Sequence, residues 1–279
     1  NTHSVGVVRD AAVAWMVNAG WDADWHAPVV AETYDGALND INGQHITAKQ
    51  TIKTMNETKP GPVIEGAIGG GTGMVCNGFK GGIGTASRRF SVDDNNYVVG
   101  VLVQCNYNWD GEDLRLGSLP VANILPVGQH CHVDLNITRT KNWYPYCEDQ
   151  IDNLESRTRD GSIIIIIATD APLLPHQLRR LAKRPSLALG RLGAVSTDGS
   201  GDIFVAFSTA NKGQVNEHLI NKVMHYPNYQ LTKAFRATID ATEEAIVNAM
   251  VAADTMVGAD SLRVKSIPKD KVRALFKND

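Results

Sequence analysis

The feature that most restricts the fold of this chain is an unbroken β-branched run that begins at Ser162. Residues 162–169 read Ser-Ile-Ile-Ile-Ile-Ile-Ala-Thr. β-Branched side chains favour strands, and a run without polar alternation is typical of a strand covered on both faces. The run is also far shorter than the roughly 20 apolar residues that span a bilayer. We therefore predict a central, buried strand here and no membrane partner.

Periodic patterns on both sides of this run predict further strands and helices. Strands are expected at 90–106 and 202–208, the second of them in the core. A long helix at 231–256 is expected to bury Phe235, Ile239, Ile246 and Met250 on one side. Buried strands separated by helices predict an α/β layered sandwich, with stacked sheets covered by helical layers. Shorter helices are predicted at 7–17, 45–56, 176–184 and 215–224, with Pro185 ending the third.

Composition excludes several classes of protein. The 279 residues are 43% apolar and 20% charged, which is ordinary for one globular domain. A net charge of −3 argues against nucleic acid as a partner, because phosphate-binding domains are usually basic. Four cysteines are too few for a disulfide framework of this size, so we expect a reducing compartment, the cytoplasm. The periplasm stays open, since the chain starts at Asn1 without Met and a targeting signal could precede it.

The junction between Gly161 and Ser162 is the first candidate for chemistry. A polar segment ends abruptly in this pair, and the next residue enters the predicted central strand. If the peptide bond before Ser162 is cut, a new α-amine lies beside the hydroxyl of the same residue. An α-amine has a pKa of about 7.7–8.0, so it can act as a base. Taken alone, an ordinary turn before a strand explains the pair more often.

Two further groups of polar residues could assist such a nucleophile. Ser200 and Asp202 are two residues apart at the start of a strand, so their side chains project the same way. Asn106 and Tyr34 carry groups that can donate to an oxyanion, and Glu32 adds a carboxylate. In isolation a glycine-rich turn explains the first group, and a structural role explains each member of the second.

Metal and phosphate sites are weakly indicated. His130, Cys131, His132 and Cys147 could in principle bind zinc, but their spacing matches no usual zinc site. The glycine-rich segment 61–84 contains no phosphate-binding loop motif, and its glycines favour close backbone packing instead. We therefore expect neither a metal nor another cofactor.

Several segments taken together, in order along nearly the whole chain, resemble one family. The chain is similar to the L-aminopeptidase/D-Ala-esterase/amidase family, to which the β-peptidyl aminopeptidases are closely related. The segments that carry the resemblance are Asn-Thr-His-Ser-Val-Gly at 1–6, Gly-Gly-Gly-Thr-Gly-Met at 69–74, Phe-Lys-Gly-Gly-Ile-Gly-Thr-Ala-Ser-Arg at 79–88, 161–173 and Gly-Ser-Gly-Asp-Ile-Phe at 199–204.

The resemblance implies a four-layer αββα sandwich, like N-terminal nucleophile hydrolases but with different connectivity. It implies self-cleavage into an α chain, 1–161, and a β chain, 162–279, which stay together and assemble as tetramers of αβ pairs. Small peptides, amides or esters would be the substrates. Ser162 would be the nucleophile, assisted by Ser200 and Asp202. Asn106 and Tyr34 would line the oxyanion region, and Glu32 would bind the substrate ammonium.

The chain departs from the family pattern in two places. Family members have a further N-terminal region before the segment matching residues 1–6, and they often carry Glu where Asp202 stands. Residues 109–159 match the pattern poorly. Two alternatives therefore stay beside the aminopeptidase: an acyltransferase on the same scaffold, similar to the ornithine acetyltransferases, and an inactive truncated fragment. The acyltransferases use Thr as nucleophile, which Ser162 argues against.

Overall fold

The computed structural model describes residues 1–21, 23–127, 130–137, 144–149, 161–214 and 218–277. The helices are α1 (Val5–Asn18), α2 (Ala48–Glu57), α3 (Pro175–Ala182), α4 (Pro185–Arg191), α5 (Leu231–Ala252) and α6 (Lys269–Leu275). The strands are β1 (Val75–Cys76), β2 (Phe79–Lys80), β3 (Gly82–Val92), β4 (Asn95–Asn106), β5 (Arg115–Leu116), β6 (Leu119–Pro120), β7 (Cys131–His132), β8 (Ser162–Thr169), β9 (Ile203–Ser208), β10 (Met256–Val257) and β11 (Leu262–Val264).

The largest sheet has the strand order β3-β4-β8-β9, and only its β8–β9 pair is parallel. The strand predicted at 162–169 is confirmed, since β8 begins at Ser162. The single strand predicted at 90–106 is wrong, because the chain reverses near Asp93 and β3 pairs back along β4. Asp93 has a φ of 51°, and a short polar side chain tolerates this left-handed conformation in a tight turn.

Helix α5 covers one face of this sheet and contributes much of the core. The helix predicted at 231–256 is confirmed, although it ends at Ala252. Its most buried face is rich in alanine, whereas Phe235 and Ile239 are only half-buried. The reason is close approach: a Cβ on Gly84 of β3 would overlap the backbone at Ala245. Small side chains let the helix backbone lie near the strand.

The opposite face of the sheet is apolar and partly open. Ile166 of β8 is 38% exposed, although the sequence predicted a strand covered on both faces. Ile203 and Phe207 of β9 are also exposed, because β9 is an edge strand rather than the core strand predicted at 202–208. A shallow cavity of about 330 Å³ opens on this face near Pro62, Leu102 and Ile166. Among the described residues, helices therefore cover one face of the sheet and leave the other face uncovered.

The shorter helices match the sequence predictions unevenly. Helices α1 and α2 confirm the predictions at 7–17 and 45–56. The basic helix at 176–184 is also confirmed as α3, but Pro185 does more than end it, because this proline is the first residue of α4. Proline suits that position since its missing N–H has no helical partner there. The helix predicted at 215–224 is wrong where it can be compared, because residues 218–224 are not helical; residues 215–217 lie outside the described residues.

All four cysteines are paired, which corrects the expectation of too few cysteines for disulfides. Cys76 is bonded to Cys105, and Cys131 to Cys147. The first disulfide joins β1 to β4 inside the core, where both residues are fully buried. The segments that surround Asn106 are thus covalently linked. In the part of the chain that the structure describes, no helix is long and apolar enough to cross a membrane.

Candidate active site

Ser162 lies where the central sheet ends. It is the first residue of β8 and pairs with Asn106, the last residue of β4. Ser162 is 9% exposed and Asn106 is fully buried. The strand register places the predicted nucleophile and the predicted oxyanion donor side by side on the same face of the sheet.

The residue before Ser162 is held tightly. A Cβ on Gly161 would lie 2.5 Å from the carbonyl oxygen of Asn106 and 2.6 Å from the Cα of Tyr107. Only glycine fits this position without displacing the end of β4. The carbonyl oxygen of Gly161 accepts a hydrogen bond from the Gly201 N–H at 3.0 Å. A donor thus already polarises the carbonyl of the bond that the sequence marks for cleavage, and sequence reasoning missed it.

Ser200 and Asp202 flank this donor. The Ser200 hydroxyl donates to Asp202 Oδ1 at 2.8 Å. A Cβ on Gly201 would lie 3.6 Å from the Cβ of Ser162, so the loop between Ser200 and Asp202 contacts the candidate nucleophile. Burial raises the pKa of the Tyr107 phenol, and the nearby charge of Asp202 raises it further. The structure therefore places the loop 200–202 beside Ser162, and the roles of Ser200 and Asp202 stay predictions.

The amide of Asn106 has a defined orientation. Its Oδ1 accepts from the Val75 N–H at 2.9 Å, and its Nδ2 donates to the carbonyl oxygen of Tyr34 at 3.0 Å. These two contacts distinguish the oxygen from the nitrogen end of the side chain. The Nδ2 group has a second hydrogen, and no further acceptor for it exists among the described residues. Asn106 can therefore donate to an additional oxygen.

Tyr34 contacts the site through its backbone. Its carbonyl accepts from Asn106, while its ring lies 6.0 Å from that of Trp109. The phenol packs over Gly36, where a Cβ would be 2.5 Å from the hydroxyl. Within the described residues the hydroxyl has no hydrogen-bond partner. Burial, with a contribution from the charge of Asp35, raises the pKa of this phenol. Trp109 was not anticipated, since it lies in the segment that matched the family pattern poorly.

Glu32 lies beside a small cavity of about 130 Å³ that is also lined by Thr33, Asp35, Met74 and Gln104. One carboxylate oxygen of Glu32, Oε2, is buried without a hydrogen-bond donor among the described residues. Gln104 is two residues before Asn106 on the same face of β4 and donates to Thr33 at 2.7 Å. The cavity is thus adjacent to the Asn106 end of the sheet, and its unpaired oxygen is suited to a cation.

A second carboxylate in this cavity is already satisfied. Burial tends to raise the pKa of Asp35, but hydrogen bonds from Asn39 and Thr2 outweigh it and hold the pKa below its usual value. Asn39 donates at 2.8 Å, and so does the Thr2 hydroxyl. Asp35 therefore organises the surrounding loops, which leaves Glu32 as the carboxylate with free capacity.

Lys80 was also missed by sequence reasoning, although its position inside an apolar and glycine-rich stretch was a signal. Its side chain is fully buried, and its Nζ donates to the carbonyl oxygens of Gly71, Met74 and Gly81. Burial lowers the pKa of Lys80 to about 7. No carboxylate lies within ion-pair distance of it in the described ranges. Every acceptor of the ammonium in the described part of the chain is thus a backbone oxygen.

The residues considered for zinc have other contacts. Cys131 and Cys147 are bonded to each other. His132 Nδ1 lies 2.6 Å from the carbonyl oxygen of Asp260, and His130 Nε2 lies 3.0 Å from that of Gly78. The described part of the chain contains no group of three His, Cys, Asp or Glu side chains that could hold a metal ion.

Three features are together typical of a serine hydrolase whose substrates carry an amine. They are a serine at the start of a central strand, a buried amide donor and an adjacent cavity with an unpaired carboxylate. Residues 1–264 match Peptidase family S58, and the chain belongs to that family. The resemblance drawn from the sequence is confirmed. The chain is a hydrolase of the serine aminopeptidase/amidase class.

Similar proteins are known from sequence and from structure. The beta-peptidyl aminopeptidase BapA of Sphingosinicella microcystinivorans is 48% identical over 282 residues, covering 99% of this chain and 67% of that relative. A beta-aminopeptidase from Burkholderia sp. superposes with a TM-score of 0.81 at 40% identity, over 100% of this chain and 73% of that one.

A further solved structure defines the fold class. The L-aminopeptidase D-Ala-esterase/amidase of Ochrobactrum anthropi superposes with a TM-score of 0.81 at 38% identity, over 99% of this chain and 71% of that one. That protein is a serine aminopeptidase with a variant of the Ntn hydrolase fold. The mixed α/β architecture of this chain is a member of the same fold class. The acyltransferase alternative is not favoured.

Proposed function

We propose that this chain cuts itself between Gly161 and Ser162 and then uses Ser162 to release N-terminal residues from small peptides, amides or esters. The observation that carries the proposal is the geometry of this junction. The carbonyl of Gly161 accepts a hydrogen bond from Gly201, and the hydroxyl that would attack it belongs to the first residue of a rigid strand. The polar segment before Gly161, residues 150–160, lies outside the described residues.

Self-cleavage would proceed by attack of the Ser162 hydroxyl on the carbonyl carbon of Gly161. The negative charge that develops on the Gly161 oxygen is stabilised by the Gly201 N–H. As the C–N bond breaks, the Ser162 nitrogen takes up the proton lost by the hydroxyl, and an ester remains. Water hydrolyses this ester, which leaves a carboxylate on Gly161 and a free amine and hydroxyl on Ser162.

Turnover would use the groups that cleavage has freed. The new α-amine has an expected pKa of about 7.7–8.0 and takes the proton from the Ser162 hydroxyl as this attacks the substrate carbonyl. The hydrogen bond between Ser200 and Asp202 fixes a polar group beside the nucleophile. Asn106 Nδ2 donates its second hydrogen to the developing oxyanion. The leaving amine takes up a proton, and water then hydrolyses the acyl-enzyme.

The substrate class follows from the cavity beside Glu32. Its volume of about 130 Å³ accommodates a small residue, and its unpaired carboxylate oxygen accepts a substrate ammonium. The names of the relatives point to β-aminoacyl substrates for two of them and to L-aminoacyl and D-alanyl substrates for the third. We propose β-aminoacyl amides as preferred substrates, with short L- and D-aminoacyl amides as the comparison panel.

Incubation of the protein with these amides, with and without an acceptor amine, tests the function. Release of the free amino acid at the same rate with and without acceptor supports the aminopeptidase. Product formation only with acceptor would indicate an acyltransferase, and absence of both products would indicate an inactive fragment.

Glu32→Gln is expected to raise KM for free-amine substrates by about 10-fold or more. A charge-assisted hydrogen bond to a partly buried carboxylate contributes about 1.5–3 kcal/mol, and the amide retains the shape but not the charge. N-acetylated substrates should show little change. The matched control is Glu65→Gln, because Glu65 accepts from the backbone and hydroxyl of Thr85 rather than lining this cavity. Equal changes in KM for acetylated and free-amine substrates would exclude the role of Glu32.

The finer architecture is also part of this proposal. We propose a four-layer αββα sandwich in which a second sheet covers the open apolar face at Ile166, Ile203 and Phe207. The support is that this face is apolar and exposed here. Residues 1–161 and 162–279 would be the α and β chains, assembled as a tetramer of αβ pairs. Light scattering on the cleaved protein measures that assembly.

The cellular location predicted from the sequence, the cytoplasm, stays a prediction. Disulfides persist mainly in oxidising compartments, so the two pairs favour a periplasmic or extracellular location over a reducing one. Counting free thiols in unreduced, denatured protein measures whether the two disulfides form.

A further inference from the structure

Lys80 is connected to Asn106 through a single peptide group. The Lys80 ammonium donates to the carbonyl oxygen of Met74 at 2.9 Å. The N–H of that same peptide group belongs to Val75 and donates to Asn106 Oδ1 at 2.9 Å. Two hydrogen bonds and one amide plane therefore lead from a buried charge to the amide of Asn106.

Such a series of hydrogen bonds polarises the Asn106 amide as well as fixing its position. Hydrogen bonds in series strengthen one another, because each polarises the next group, and the effect is greatest where water is excluded. The charge on Lys80 draws electron density toward the Met74 oxygen, which makes the Val75 N–H a stronger donor. That donor in turn draws density toward Asn106 Oδ1, which makes the Nδ2 hydrogens more acidic. All four residues are fully buried or nearly so.

The position of Lys80 is itself firmly determined. Its other two hydrogen bonds, to Gly81 at 2.7 Å and Gly71 at 3.1 Å, account for the remaining ammonium hydrogens. Its backbone N–H donates to the carbonyl oxygen of Lys265 at 2.7 Å. A buried ammonium without a carboxylate partner is costly for the fold, and three carbonyls compensate for it in part. Burial lowers the pKa of Lys80 to about 7, so near neutral pH part of the molecules carry the ammonium, and in these it acts on the peptide group at Val75.

We propose that Lys80 is a positioning residue for the reaction, which orients and polarises the Asn106 amide as a donor to the oxyanion. The inference rests on the proposed role of Asn106. It adds a residue that touches neither the nucleophile nor the substrate, and whose effect reaches the reacting atoms only through Asn106.

The test compares Lys80→Met with Asn106→Ala, singly and combined, using kcat per active site titrated with an acylating inhibitor. Lys80→Met alone is expected to lower kcat about 10-fold with KM changed less than about twofold, because the lost interaction acts on the transition state. In the Asn106→Ala background Lys80→Met should have no further effect, since residues that act through one another are not additive. The matched control is Lys265→Met, because the side chain of Lys265 is exposed and takes no part in the hydrogen bonds that link Lys80 to Asn106.

The infrared carbonyl stretch of a slowly hydrolysed acyl-enzyme separates polarisation from folding. Weaker hydrogen bonding to the carbonyl in Lys80→Met should raise its frequency, whereas a merely destabilised but correctly formed site would leave the frequency unchanged. Lys80→Gln keeps two N–H donors for the carbonyls and removes the charge, so it replaces Lys80→Met if that variant does not fold. It should show the same kcat loss and frequency shift.

Several results would overturn the inference. Unchanged kcat and carbonyl frequency in folded, cleaved Lys80→Met, together with a large loss in Asn106→Ala, would reject the role of Lys80 and leave that of Asn106 intact. Independent, multiplying effects in the double variant would show that Lys80 does not act through Asn106. Failure of both Lys80 variants to fold would indicate a purely structural lysine. An unchanged kcat in Asn106→Ala would reject the proposed oxyanion donor itself.

Discussion

Ser162→Ala is expected to give one intact chain and no measurable turnover. The hydroxyl of Ser162 is the only group proposed to attack the Gly161 carbonyl, and the later steps need both this hydroxyl and the amine that cleavage exposes. The wild-type protein should give fragments 1–161 and 162–279, the second beginning Ser-Ile-Ile. Denaturing gels and intact mass measure the cleavage, and release of amine from an aminoacyl amide measures turnover.

A matched serine variant separates this effect from general damage to the sheet. Ser91→Ala changes an exposed hydroxyl of β3 that contacts Asn96 near the far end of the hairpin. It should be cleaved and active like the wild type. If Ser162→Ala still splits at the same bond, Ser162 is not the self-processing nucleophile. If the wild-type chain stays intact yet hydrolyses substrates, the α-amine is not the base.

Asn106→Ala is expected to lower kcat by a factor of about 10²–10³, the usual effect of removing one oxyanion donor. KM should change much less, because the donor acts mainly on the charge that develops in the transition state. The substitution also leaves the Val75 N–H without its acceptor, so stability must be measured in parallel by thermal unfolding. Steady-state kinetics on cleaved, titrated enzyme provide the comparison.

Asn106→Asp removes the Nδ2 hydrogen-bond donor while nearly keeping the shape of the side chain, so it separates loss of the donor from loss of packing. The carboxylate has nearly the same shape and keeps an acceptor for Val75, but it cannot donate where Nδ2 stood. A loss at least as large as that of Asn106→Ala is therefore expected. The control is Asn248→Ala in α5, which removes an amide that donates to the Thr85 carbonyl away from the site. An unchanged kcat in folded, cleaved Asn106→Asp would eliminate Asn106 as the donor.

The sequence predicted the central strand well, because a strand of this kind depends on local signals, whereas Ser162 as nucleophile stays a prediction that came from the family resemblance. The isoleucine run of β8 has one stable environment, and a glycine followed by serine at its start marks a sharp boundary. The long helix α5 was likewise found by its periodicity. The hairpin in 82–106 was missed because its turn is formed by Asp93 and Asp94 in a polar stretch that looked like part of a strand.

The sequence predicted less well which residues and backbone groups form the site. Side-chain types pointed to Ser200, Asp202 and Asn106, and the structure places them at one end of the sheet. Backbone donors carry no such signal, so the Gly201 N–H could not be found from residue type. Tyr34 was assigned through its phenol, but its carbonyl makes the contact to Asn106. Trp109 could be placed near the site only from the folded structure, because residues 109–159 match the family pattern poorly.

The sequence by itself determined the elements whose stability is local: a β-branched strand and an amphipathic helix. The tertiary structure alone decided which polar groups meet and which charges stay buried. Pairing of β4 with β8 brings Asn106 to Ser162, and the start of β1 places the peptide group at Val75 between Lys80 and Asn106. Such contacts join residues far apart in the chain, and their energies depend on the exclusion of water, which only the folded protein provides.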